Sequence, residues 1–174
     1  METGCFSGVL LKEGNQVLQP LGARMVQGSL ALGVHREQLR RDGGVQDIEQ
    51  DPTQLQPKIA AALAEQYSDL IVGIKTAHYW TKAPWDDAHP PWASVERAVE
   101  AGELCDKPVM VDFWPRPPER PYPTLILEKL RPGDIHTHVF ARQFPIVDEN
   151  RRVYDHLWKA RERGVIFDLG HGAG

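Results

Sequence analysis

The stretch "SDLIVGIKTAHYW", residues 68–80, decides the fold. Leu70-Ile71-Val72-Gly73-Ile74 is an apolar run of strand length, and such runs are normally buried in a sheet. It ends on a lysine, Lys75. A long cation at the end of a buried strand must reach water, pair with an anion, or take part in chemistry. The residues on either side weigh among these.

Apolar and helical segments alternate around that strand. "ARMVQGSLALGV" (23–34) is a weak strand candidate. "DPTQLQPKIAAALAEQY" follows, with Ile59, Ala62, Leu63 and Tyr67 at helical spacing and Asp51 before Pro52 as the expected N-cap. After "DLIVGIK" comes "WASVERAVEAGE", a helix expected to be capped by Ser94 and stopped near Gly102. "KPVMVDFW" reads as a strand with proline at its edge. "YPTLILEKLRPG" reads as a helix ended by Pro132-Gly133, and "DIHTHVF" as the next strand. "DENRRVYDHLWKARERG" is the clearest helix, with Val153, Leu157 and Ala160 in one stripe, Tyr154 and Trp158 beside it, and Gly164 as the stop. "VIFDLG" is the last strand. Strands alternating with helices imply parallel pairing and right-handed crossovers. The fold class is therefore α/β. Five strands fit an open doubly wound sheet or part of an eight-stranded barrel, and periodicity leaves both open. The loop 76–92 is long and rich in Pro, Trp and His, as site-lining loops often are.

Composition bounds the function. The 174 residues carry a net charge of -4, with 25% charged and 41% hydrophobic residues, as an ordinary globular domain does. The acidic balance gives no support for a nucleic-acid partner. No apolar run approaches the ~20 residues of a membrane span. "METGCFSGVLLKEGN" lacks the layout of a signal peptide. Cys5 and Cys105, far apart and outside any Cys-x-x-Cys spacing, read as free thiols of a reducing cytoplasm, with one disulfide as the alternative.

Four expected strands end on polar groups: Lys75, Asp112, His136 with His138, and Asp168, the last followed by Gly170-His171-Gly172. In parallel α/β folds strand C-termini share one edge, where sites form. Residues 136 and 138 are two apart, so on a strand both face the same way. Each residue alone has a plainer role: a snorkelling lysine, a turn-capping aspartate, a hydrogen-bonded histidine, a glycine turn. His35, His89 and His156 are read as surface or helix residues. Agreement among four strand ends is what raises a site above these. A strand-end lysine beside imidazole and carboxylate suggests metal chemistry. A neutral lysine amine takes up carbon dioxide to become a carbamate, an anionic donor able to bridge two cations. Imidazole and carboxylate complete sites suited to zinc, and such ions promote amide hydrolysis.

The motifs "VGIKTAHY", "KPVMVDF", "RPPERPY", "LRPGDIHTH" and "RGVIFDLGHGAG" together resemble the amidohydrolase superfamily, in its deacetylase and dihydroorotase-like branch of metallohydrolases. They run in the family's order from about Ile48 onward, while residues 1–45 match poorly. The resemblance implies a (β/α)8 TIM-type barrel with one or two divalent ions, zinc foremost. It implies that Lys75 is the lysine that becomes carboxylated, and that His138 is a metal ligand. Asp112 stands where many members carry histidine in a "MVH" setting; aspartate there either ligates through oxygen or weakens the second metal site. His136 ranks second as a candidate. His171, Gly170, Gly172 and His78 are the implied substrate-binding residues. The strand-eight aspartate that serves the family as ligand and base has no counterpart, and a whole barrel takes ~250 residues. The 174 residues are thus expected to be a single incomplete barrel domain, about strands three to seven, and an internal fragment with little activity by itself. The implied substrate is a small molecule with a linear N-acyl or cyclic amide. Open sheet edges favour self-association into a homo-oligomer. Two rivals stand beside this: a Schiff-base lysine in an aldolase-like barrel, and a non-catalytic remnant or interaction module.

Overall fold

The computed structural model describes residues 9–11, 50–76, 79, 85–112 and 114–170. The expected strand at 23–34, together with His78, His171 and Gly172, lies outside them. Five strands lie side by side in chain order: β1 Val9–Leu11, β2 Ile71–Lys75, β3 Val109–Val111, β4 Ile135–His136 and β5 Ile166–Phe167. β2 to β5 are parallel to one another, as strands joined through helices should be. β1 runs antiparallel to β2. Among the described residues the parallel set numbers four of the about five expected, the fifth candidate at 23–34 lying outside them, and the strand beside β2 comes from a stretch with no strand prediction.

The helices are α1 Pro57–Gln66, α2 Ala93–Leu104, α3 Tyr122–Thr124 and α4 Asp155–Glu162. α3 runs directly into a wider π-turn, Leu125–Lys129. Asp51 does cap, but it caps a separate short turn, Pro52–Gln54, by accepting from the Thr53 N–H at 2.9 Å. The face expected on α1 is wrong. Ala60, Ala61 and Ala64 are buried, while Ile59 and Tyr67 are 45% and 43% exposed. Small side chains bring α1 close to Ala98 and Ala101 of α2, which belong to the same core cluster. α2 also departs from expectation. Ser94 lies inside it, buried, and its hydroxyl has no hydrogen-bond partner. Gly102 lies inside it too, because the helix presses on β3. A Cβ there would come within 2.7 Å of Val109 Cγ2 and 2.8 Å of the Lys107 carbonyl oxygen. On α4, Leu157 and Ala160 are buried as expected and Gly164 ends the segment with φ 95, whereas Val153 precedes the helix.

Ile74, Val109 and Val111 project into the core with Val95, Leu125, Ile126, Leu130 and Val165. Each such buried side chain contributes about 1.5–3 kcal/mol. The strand registers set what faces the other way. Lys75 pairs with Met110, Met110 with Ile135 and Ile135 with Ile166, so these four form one row. By alternation that row points away from Ile74 and Val111, and so away from the core. An apolar groove of about 590 Å³ opens beside β5, between Phe140, Ile146, Leu157, Trp158 and Ile166. Among the described residues no helix is long and apolar enough to cross a membrane.

Candidate metal centre

The parallel ladder runs one residue past each strand. Thr76 N–H donates to the Met110 oxygen at 3.0 Å, Thr137 N–H to Val111 at 3.1 Å and Asp168 N–H to His136 at 2.9 Å. Continuing the alternation puts Asp112, Thr137 and Asp168 on the same face as Lys75, at the C-terminal edge. The Thr76 hydroxyl ties β2 to β3 there. It receives the Asp112 N–H at 3.1 Å and donates to the Asp112 carbonyl at 3.2 Å. Lys75 is 5% exposed and Asp112 is buried. A snorkelling lysine keeps its head in water, so the plainest reading of Lys75 does not describe this side chain.

The two histidines of "DIHTH" part company. β4 ends at His136, and His138 adopts a left-handed φ of 58. Two-residue alternation therefore stops before residue 138, and the expectation of a shared face fails. His138 turns to Asp112, with Nδ1 at 3.4 Å from Oδ2. His136, in register with Val111, turns to the core side. Its ring meets Phe144 edge-on at 4.6 Å and Tyr122 at 5.3 Å between centroids. Neither of its ring nitrogens has a hydrogen-bond partner. Burial pushes its imidazole down to about 4, only partly opposed by the nearby backbone of Val111 and the charge of Asp112. His136 is thus a neutral, aromatic-packed imidazole at ordinary pH, in register with Val111 rather than with Asp112.

The glycine after β5 has a physical reason to be glycine. Gly170 holds φ 65, and a Cβ there would collide with Cδ2 of His138 and come within 2.8 Å of Nε2. The ring of His138 therefore lies against the Gly170 backbone on one edge and faces Asp112 on the other. The loops that follow β2 and β3 are joined by Arg120, which is fully buried and donates to the Tyr79 carbonyl at 2.6 Å. Burial brings that guanidinium down to about 10, with Arg116 adding to the effect, and pushes the Tyr79 hydroxyl up to about 12. Nothing in the sequence reading singled out Arg120; a lone arginine amid prolines has no periodic signal.

Whether these residues fit a metal is a question of donors. Among the described residues no three His, Cys, Asp or Glu side chains gather to hold an ion. The pair Asp112–His138 fits as two donors of one site. Ligands about 2.0–2.2 Å from a tetrahedral zinc lie about 3.4 Å apart, the separation found between Nδ1 and Oδ2. Lys75, two strands from His138 on the same face, is the oxygen donor only as a carbamate. His89 pairs with Asp86 at 3.0 Å on the surface, and His156 stacks on Tyr154, in keeping with their plain roles.

No protein-family model matches the chain. Over 129 residues it is 29% identical to a deacetylase of Enterococcus faecalis (strain ATCC 700802 / V583), a likeness that covers 73% of this chain and 33% of the relative. The chain thus spans about a third of the length of the curated relative that it matches.

Proposed function

We propose that the edge formed by Lys75, Asp112 and His138 belongs to a metal-dependent hydrolase that cleaves a linear N-acyl or cyclic amide bond of a small molecule. One observation carries the reading: a carboxylate and an imidazole stand 3.4 Å apart at the C-terminal edge of parallel strands, on the sheet face that also carries a buried lysine. The distant likeness to a deacetylase supports a hydrolase of acetyl amides. One or two divalent ions, zinc foremost, would be held by Asp112 through oxygen and by His138 through Nδ1, with the Lys75 carbamate as the anionic bridge. A cation there supplies Lewis acidity toward the acyl carbonyl and acidifies water. The protein's own part is positional. Asp112 is anchored through its backbone to Thr76, and the His138 ring is seated on Gly170. Lys75 ends an apolar strand with its side chain buried, and addition of carbon dioxide to its amine would make it an oxygen donor. His78, His171, Gly170 and Gly172 are the proposed contacts to substrate.

Release of acetate from a panel of N-acetyl amino acids, and ring opening of cyclic amides, tests this in the native protein with zinc. Lys75→Ala should abolish turnover and lower bound metal, and a short carboxylic acid should restore part of both by standing in for the carbamate. A Lys75→Ala protein that keeps its zinc and its rate refutes the proposal. Trapping of a carbonyl substrate on Lys75 by borohydride would favour Schiff-base chemistry instead.

A further inference from the structure

Asp168 ends the last parallel strand, and the proposed chemistry gives it nothing to do. Its contacts show another use. Oδ2 accepts from the Thr137 hydroxyl at 2.5 Å and from the Gly170 N–H at 2.9 Å. Its N–H donates to the His136 carbonyl at 2.9 Å, and its carbonyl accepts from the Val139 N–H at 3.2 Å. Residues 136, 137 and 139 flank His138 on both sides, and Gly170 is the surface on which the His138 ring rests. The residues on both sides of His138 and the glycine under its ring are therefore tied to Asp168.

The tie is needed because the ring is held in an uncommon place. His138 has a φ of 58, a conformation that costs a non-glycine residue about 1–3 kcal/mol and persists only where its surroundings hold it. A short hydroxyl-to-carboxylate bond is among the stronger protein hydrogen bonds. It sits on the residue immediately before the turn, and the Gly170 bond sits on the loop that closes over the ring.

We infer that Asp168 is a positioning residue: through Oδ2 it clamps Thr137 to Gly170 and so holds the His138 imidazole with Nδ1 toward Asp112. Asp168 itself is neither ligand nor base. The importance of this for turnover rests on the proposed role of the Asp112–His138 pair; the clamp itself does not. One oxygen does both jobs, so asparagine can replace aspartate by presenting its amide oxygen at the place of Oδ2. Alanine cannot.

The test is made on the metal-free, 15N-labelled full chain, by correlating imidazole nitrogens with ring protons. His138 is assigned from the signals lost in His138→Gln. In the wild type, and in Asp168→Asn, His138 should show one fixed tautomer. In Asp168→Ala, and in Thr137→Val, which removes one donor at constant shape, its signals should move to those of a freely exchanging histidine. Zinc affinity should fall about tenfold or more in Asp168→Ala, as for other residues that orient a ligand, and change little in Asp168→Asn. If Asp168→Ala fails to fold, Thr137→Val decides. Unchanged His138 signals in Thr137→Val, or in a folded Asp168→Ala, overturn the inference. So does an Asp168→Asn protein that loses zinc while His138 stays fixed, since that marks a ligand. A wild type whose His138 responds as stated but which binds no zinc leaves the clamp standing and removes the metal reading alone.

Discussion

The two ends of the parallel sheet both carry aspartates, and they are used in opposite ways. At the N-terminal end Asp134 is 1% exposed and saturated. Its Oδ1 accepts from Val109 N–H at 2.8 Å and Arg131 Nη2 at 2.9 Å. Its Oδ2 accepts from Arg131 N–H at 2.8 Å and Nε at 3.0 Å. At the C-terminal end Asp112 turns its carboxylate to an imidazole, and Asp168 places both of its side-chain bonds on a single oxygen. A carboxylate whose lone pairs are all taken by donors can only hold the fold. Chemistry needs groups that face one another, as Asp112 and His138 do.

The largest expected effect tests the saturated end. Asp134→Ala leaves the buried Val109 N–H and the Arg131 guanidinium without their acceptor, and breaking a buried pair costs about 3–5 kcal/mol. Urea denaturation should register that loss, while Asp168→Asn at the other end should cost under about 1 kcal/mol, since its hydrogen bonds survive. Equal losses would erase the contrast. The next effect depends on pH. The folded pKa of His136 lies near 4, below the ordinary 6.5, so between these values the unfolded chain binds a proton that the folded chain does not. Stability should therefore fall as pH drops from about 6.5 to about 4, by on the order of 3 kcal/mol in all. His136→Phe, packed on Phe144 and Tyr122, should flatten that slope in denaturation curves at pH 5 and pH 7. A slope that persists in the variant would put the acid sensitivity elsewhere.

The order and direction of β2 to β5 were legible because apolar runs alternate with helical spacing. So was the placing of Lys75 and Asp112 at one edge, which follows from parallel strands alone. The buried face of α1 was hidden because helical periodicity gives weight to large side chains, whereas close packing on α2 selects Ala60, Ala61 and Ala64. The different fates of His136 and His138 were hidden because nothing in "DIHTH" announces a left-handed residue. Asp134 within "LRPGDIHTH" carries no signal of its role, since saturation is visible only once Val109 and Arg131 lie beside it. His78, His171 and Gly172 lie outside the described residues and keep their expected roles as proposals.

Smaller effects sharpen the contrast further. Gly170→Ala forces a side chain into the His138 ring at a φ of 65, and should cost about 1–3 kcal/mol. In ring spectra it should displace His138, while the backbone amide signals of Asp134 and Val109 should not move. Glu100→Gln, in an exposed pair with Arg97 at 3.0 Å, should change stability by under about 1 kcal/mol, which sets the baseline for a charge that serves neither end.

The most direct test of the metal-centre claim is a zinc titration of the full chain followed by calorimetry, run beside Asp112→Ala, His138→Ala and Asp134→Asn. The account predicts saturable zinc binding that weakens at least about tenfold in each of the first two variants, in line with loss of a ligand, and is unaltered in any Asp134→Asn chain that remains folded. Zinc binding that ignores Asp112 and His138, or no zinc binding by the wild type, would contradict it.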